Sequence, residues 1–152
     1  MIENIGKTIA TFMLVKNEAE YIGPHVMSLL DYIDGFYFYD GNSTDGTIEI
    51  LEYIKKKYDK NDKIHLFKNK DCKNLQEDYV ILWNELIKKV KEDYLFFCHP
   101  DMICLNPEVI KSALDKKAVR YFVNMESIAG EKRDLKIVSG RSDKWATIYK
   151  ND

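Results

Sequence analysis

Three polar clusters in this chain each follow directly on a short apolar run: Lys16-Asn17-Glu18, Asp40-Gly41-Asn42-Ser43-Thr44-Asp45-Gly46-Thr47, and His99-Pro100-Asp101. In the middle cluster two glycines let a ligand approach the backbone, Ser43 and Thr44 supply hydroxyls, and the helix that follows offers free N–H groups suited to an anion. The same residues are also ordinary turn chemistry, in which Ser43, Thr44 or Asp45 caps the helix with no ligand present. In the third cluster an imidazole and a carboxylate, His99 and Asp101, make a two-ligand set for Mg2+ or Mn2+ that would neutralise a diphosphate. The alternative is that Asp101 caps the next turn and His99 is a polar strand end. Lys16-Asn17-Glu18 alone is compatible with a helix entrance.

These clusters act together only if the elements before them are neighbouring parallel strands, because their carboxyl ends then share one edge, where open α/β sheets bind ligands. Thr8 to Val15, Phe36 to Tyr39, Ile64 to Phe67 and Tyr94 to Cys98 have the apolar character of buried strands. Helical spacing links Ile22, Val26, Leu29, Leu30 and Ile33, and again Ile48, Leu51, Ile54 and Tyr58. A third helix is expected from about Gln76 to Lys91, with Tyr79, Val80, Trp83, Leu86, Ile87 and Val90 forming an arc wide enough for burial on more than one side. Asn106 is expected to cap a fourth helix, with Pro107 at its first position and Val109, Ile110, Ala113 and Leu114 facing the core.

The expected fold is therefore α/β, a mostly parallel sheet with helices on both faces and right-handed crossovers. Beyond Ala118 the pattern changes to short strands, near Val119–Asn124, Leu135–Val138 and Ala146–Tyr149, joined by turns at Gly130 and Gly140. A length of 152 residues suits one domain. A net charge of -2 offers no basic excess for a nucleic acid. No apolar run approaches the roughly 20 residues of a membrane helix. The start, Met1-Ile2-Glu3-Asn4, lacks the features of a signal peptide, so a cytoplasmic location is expected. Cys72, Cys98 and Cys104 are odd in number and unpaired in spacing, which indicates reduced thiols. His25 and His65 are given no role beyond structure.

The order Val15-Lys16-Asn17-Glu18, a strand ending in Asp40, Ser43-Thr44-Asp45-Gly46-Thr47, and a strand ending in His99-Pro100-Asp101 resembles family 2 glycosyltransferases over about the first two thirds of the chain. The resemblance implies a Rossmann-like GT-A fold that moves a sugar from a nucleotide diphosphate donor to an acceptor hydroxyl. It implies a nucleotide-binding half at 1–104 and a partial acceptor-side half at 105–152, as in a truncated or compact variant. Lys16, Asn17 and Glu18 would line the nucleoside pocket together with the loop residues Asn42, Ser43 and Asp45, and Asp40 would read the base. Asp101 would match the last acid of the Asp-x-Asp element that binds a divalent cation, Mn2+ or Mg2+, with His99 where the first acid usually stands. Trp83-Asn84 falls near where many relatives carry Arg-Asn. The catalytic base would come from later in the chain, where Glu126, Glu131, Asp134 and Asp143 are not distinguished by spacing. The acceptor, whether glycan, lipid or protein, stays open. A second reading is a non-catalytic nucleotide or sugar-nucleotide binding domain on the same fold; turnover, not binding, separates the two.

Overall fold

The computed structural model describes residues 6–68 and 75–114, and four strands within 120–123, 127–129, 136–139 and 146–150. The elements in order are β1 (Ile9–Val15), α1 (Ile22–Leu29), β2 (Gly35–Asp40), α2 (Thr47–Tyr58), β3 (Ile64–Lys68), α3 (Leu75–Ile87), β4 (Tyr94–Phe97), α4 (Glu108–Ala113), β5 (Arg120–Val123), β6 (Ser127–Ala129), β7 (Lys136–Ser139) and β8 (Ala146–Lys150). Six strands form one sheet in the order β3-β2-β1-β4-β8-β5, and β6 pairs with β7 in a separate two-stranded sheet.

β3, β2, β1 and β4 are mutually parallel, whereas β8 runs antiparallel to both β4 and β5. The chain winds outward from β1 through β2 to β3 and then returns to the other side of β1 as β4. That reversal makes the β1–β4 boundary a topological switch point, the place at the carboxyl ends of the strands where open α/β sheets bind ligands.

Both faces of the sheet are buried, which is why the strands read as continuous apolar runs. On one face Ile9, Met13, Val15, Phe36, Phe38, Phe96 and Cys98 pack with Ile22, Val26 and Leu29 of α1, Leu51 and Ile54 of α2, and Ile110 of α4. On the other face Ala10, Phe12, Tyr37, Tyr39 and Leu95 pack with Leu82 and Leu86 of α3 and with Val90 just beyond it. Phe36 and Phe38 are fully buried, each a contribution of roughly 1.5–3 kcal/mol.

Three expectations are corrected. α1 is shorter than expected and ends at Leu29, and a turn carries Leu30 and Ile33 into the core. α3 does not bury a wide arc, because a helix lying on one face of a sheet presents only one stripe to it: Val80 and Ile81 are 67% and 61% exposed, and Tyr79 is exposed too. α4 begins without a side-chain cap, and Val109 points to solvent while Ile110 faces the core. The Gly130 and Gly140 turns, Cys72 and the late acids Glu126, Glu131, Asp134 and Asp143 lie outside the described residues.

Candidate functional site

The loops after β1 and β2 are stitched together by reciprocal hydrogen bonds. β1 and β2 are in register up to Val15 opposite Asp40, so the two loops leave the sheet side by side. Gly41 N–H then donates to the Val15 carbonyl at 2.9 Å. Asn17 N–H donates to the Ser43 hydroxyl at 2.9 Å, and Thr44 N–H donates back to Asn17 Oδ1 at 2.9 Å. Glu18 N–H donates to Thr47 Oγ1 at 2.8 Å, and Ala19 N–H to Asp45 Oδ2 at 2.9 Å.

Asp45 also works within its own loop. Its Oδ1 accepts Thr47 N–H at 3.0 Å and the Thr47 hydroxyl at 2.6 Å, and the hydroxyl bond leads the causes that hold its carboxyl below the usual value. Asp40, buried at the end of β2, accepts Ser43 N–H at 3.1 and 3.3 Å on its two oxygens. The turns demand unusual backbone: Asn17 and Asn42 adopt positive φ of 58° and 63°, and Gly46 stands at φ 99° at the head of α2. Asparagine is among the side-chain-bearing residues that tolerate this region best.

Asp101 reaches the same edge from β4, in a turn closed by Met102 N–H on the His99 carbonyl at 3.1 Å. Its charge is felt in the β1 loop. Burial pushes the Glu18 carboxyl above its usual range, and the negative charges of Asp101 and then Asp45 add to that. Exposed Tyr21 is raised first by Glu20, with Asp101 and Glu18 contributing less. His99 lies on the α3 side of β4, where an aromatic column runs through Tyr79, Trp83, Phe97 and His99 with ring centroids 5.1 to 5.3 Å apart.

The sheet thus brings the loops that carry Glu18 and Asp45 to the edge that Asp101 reaches, and Glu18 feels the charge of both; Lys16, Asn17, Asn42 and Ser43 lie in the same two loops and Asp40 ends β2. Ser43 and Asp45 spend much of their bonding capacity on joining the loops. Sequence reasoning passed over Thr47, which bonds across the loops, and its place as the last residue of Ser-Thr-Asp-Gly-Thr was the available signal. It also passed over Tyr21. No group of three or more His, Cys, Asp or Glu among the described residues has the arrangement of a complete metal site. A cleft of about 280 Å³ at the opposite edge, lined by Lys7, Thr8, Asp34 and Lys111, is remote from this chemistry and contains the Lys111–Asp34 ion pair at 2.8 Å.

A model of the family described as glycosyl transferase family 2 matches residues 11–124, which include all three clusters. The chain belongs to this family. Solved structures agree on the architecture. A mannosyltransferase from Pyrobaculum calidifontis, in complex with GDP-Man and Mn2+, superposes with a TM-score of 0.65 at 13% identity over 99% of this chain and 46% of its own. TarS from S. aureus gives 0.65 at 16% identity, over 95% of this chain and 47% of its own. Glucosyl-3-phosphoglycerate synthase from Mycobacterium tuberculosis, in complex with UDP, gives 0.53 at 18% identity over 76% and 43%. At these identities the likeness establishes the fold, which is GT-A. The chain spans about half the length of these proteins. No curated protein matches it by sequence. This family 2 domain has, among its described residues, no helix long and apolar enough to cross a membrane.

Proposed function

We propose that this family 2 domain binds a nucleotide diphosphate sugar at the carboxyl edge of β1, β2 and β4 and transfers the sugar to an acceptor hydroxyl. The observation that carries the reading is the convergence of Glu18, Asp45 and Asp101 at the switch point, where burial and its two neighbours raise the Glu18 carboxyl. None of the ion pairs among the described residues involves any of these three acids. Their donor set is oxygen, the chemistry that hard divalent cations take. In this reading Asp101 would hold Mn2+ or Mg2+ through its carboxylate, with His99 two residues before it, and the described residues form no three-ligand site of their own. When bound, the ion supplies charge neutralisation to the diphosphate leaving group.

The chain's own residues supply placement. Stitching of the two loops fixes the backbone around Lys16, Asn17 and Glu18 as the wall assigned to the nucleoside, and Asp40, assigned to the base, anchors the second loop from the end of β2. Asn42 and Ser43 complete that wall. Positioned donors and charges of this kind lower a barrier because they need not reorganise as charge develops. Support for nucleotide sugar donors comes from two proteins of the same fold, one in complex with GDP-Man and Mn2+ and one with UDP.

Calorimetric titration with UDP, GDP and CDP, each with and without Mn2+, tests the reading. Affinity for one nucleotide that depends on Mn2+ is the expected result, and absence of affinity for all three would refute it. Turnover of the matching nucleotide sugar then separates a transferase from a domain that only binds.

A further inference from the structure

Beneath the Asp101 turn lies a buried polar chain that the donor site does not use directly. Thr11 in the middle of β1, Cys98 just after β4 and His25 in α1 are each no more than 3% exposed. Thr11 Oγ1 is 3.3 Å from Cys98 Sγ, Cys98 Sγ is 3.8 Å from His25 Nε2, and His25 Nδ1 is 2.6 Å from the Met102 carbonyl oxygen. A carbonyl oxygen can only accept, so Nδ1 carries the imidazole proton and Nε2 is left as an acceptor. Cys98, pushed up to about 12 by burial, remains a thiol able to donate to it.

The same helix grips the segment once more. Cys104 N–H donates to the Ser28 hydroxyl at 3.2 Å, and that hydroxyl donates to the His25 carbonyl at 2.7 Å. Met102 and Cys104 consequently face α1, while Ile103 and Leu105 are exposed between and beyond them. Asp101 itself makes none of these bonds; it is held at one remove, through the residue that follows it.

We propose that His25 is the positioning residue of the donor site, fixing the Asp101 turn against the sheet through Met102, in the Nδ1–H tautomer. The proposal rests on the reading of Asp101 as the donor-site acid for its functional arm, while its structural arm stands independently. An imidazole in the sheet-facing side of α1 serves this end better than an apolar side chain, because an unpartnered Met102 carbonyl would face a buried, water-poor space.

Nitrogen-15 NMR of the wild-type imidazole gives the first test: a protonated Nδ1 and bare Nε2 are expected, and the opposite tautomer overturns the proposal. The second uses His25→Leu, which removes the donor, and His25→Asn, whose amide nitrogen can occupy the place of Nδ1. Amide exchange at Met102 and Cys104 is expected to quicken about tenfold in His25→Leu and to return toward wild type in His25→Asn, with Phe12 in β1 unchanged. Wild-type exchange at those two amides in His25→Leu overturns it. Should the leucine variant fail to fold, the tautomer and the asparagine variant still decide the matter. Where wild type shows Mn2+-dependent UDP or GDP affinity, His25→Leu is expected to weaken that component about tenfold and spare the metal-independent one. Loss of the wild-type metal dependence would refute the proposed function and leave the exchange result to judge His25.

Discussion

Thr47, the first residue of α2, accepts the backbone N–H of Glu18 on its hydroxyl at 2.8 Å and is fully buried while doing so. The loop after one strand is thereby fastened to the helix after the next. Replacing the hydroxyl by a methyl in Thr47→Val leaves the Glu18 N–H without its partner at a cost of about 1–3 kcal/mol. Urea denaturation is expected to show that loss, and Thr47→Ser should recover most of it.

Gly46 makes the same junction possible from the backbone side. Its φ of 99° is unfavourable for any side chain, and a Cβ built there meets nothing within 4 Å, so the cost of Gly46→Ala is conformational, about 1–2 kcal/mol. Gly35 is the contrasting case. A Cβ there would lie 2.8 Å from the Tyr37 ring and against Glu92 Oε1, so Gly35→Ala is expected to destabilise through overpacking by about 1–3 kcal/mol. Thermal unfolding of the two alanine variants, read alongside donor affinity, should place only Gly46 near the site: Gly46→Ala should weaken nucleotide affinity and Gly35→Ala should not.

Asp101→Asn keeps the shape of the turn and removes its charge. The expected outcome is loss of Mn2+-dependent nucleotide affinity by at least about tenfold, with the unfolding midpoint little changed. One of the causes raising Glu18 disappears with that charge, so the Glu18 carboxyl should titrate closer to its ordinary value. Carbon-13 NMR of the Glu18 side chain reads this directly.

Acid should weaken the fold through His25. Burial lowers its pKa from 6.5 to about 4, so the unfolded chain takes up a proton on this group at a pH where the folded chain does not. Its contribution is complete above pH 6.5 and is lost as pH falls through about 4, amounting to about 3 kcal/mol in the limit. Glu18 acts with the opposite sign: its folded pKa is raised, so the folded chain binds its proton more tightly and stability falls as pH rises above 4.5. Denaturation midpoints across pH 4 to 7 should rise less steeply in His25→Asn and more steeply in Glu18→Gln than in wild type.

The parallel strands and the shared edge were legible because an apolar run followed by a polar cluster is a local signal, and four such runs leave few topologies open. That the clusters after β1, β2 and β4 share one edge follows from that arrangement. What was not legible depends on distant partners. His25 is given no role beyond structure in the sequence reading, and its contacts are 73 and 77 residues away. Val80 and Val109 carried the right residue type for the core, yet helical spacing alone does not say how wide a stripe the neighbouring sheet will cover. Ser43 and Asp45 had two readings, ligand contact and local turn. The hydrogen bonds show a third use, joining one loop to another, which needs the register of two strands to be known.

The antiparallel strand β8 sits between β4 and β5, so β4, which carries the Asp101 turn, gains its second neighbour from residues that come about fifty positions later. During synthesis at roughly 5–20 residues per second, that edge of β4 stays open for several seconds after β1 to β4 can already pair. An unpaired edge beside a row of aromatic residues is an aggregation hazard. The bonds from α1 to Met102 and Cys104 need only residues up to Cys104, whereas the edge of β4 is covered only by a strand that starts at Ala146.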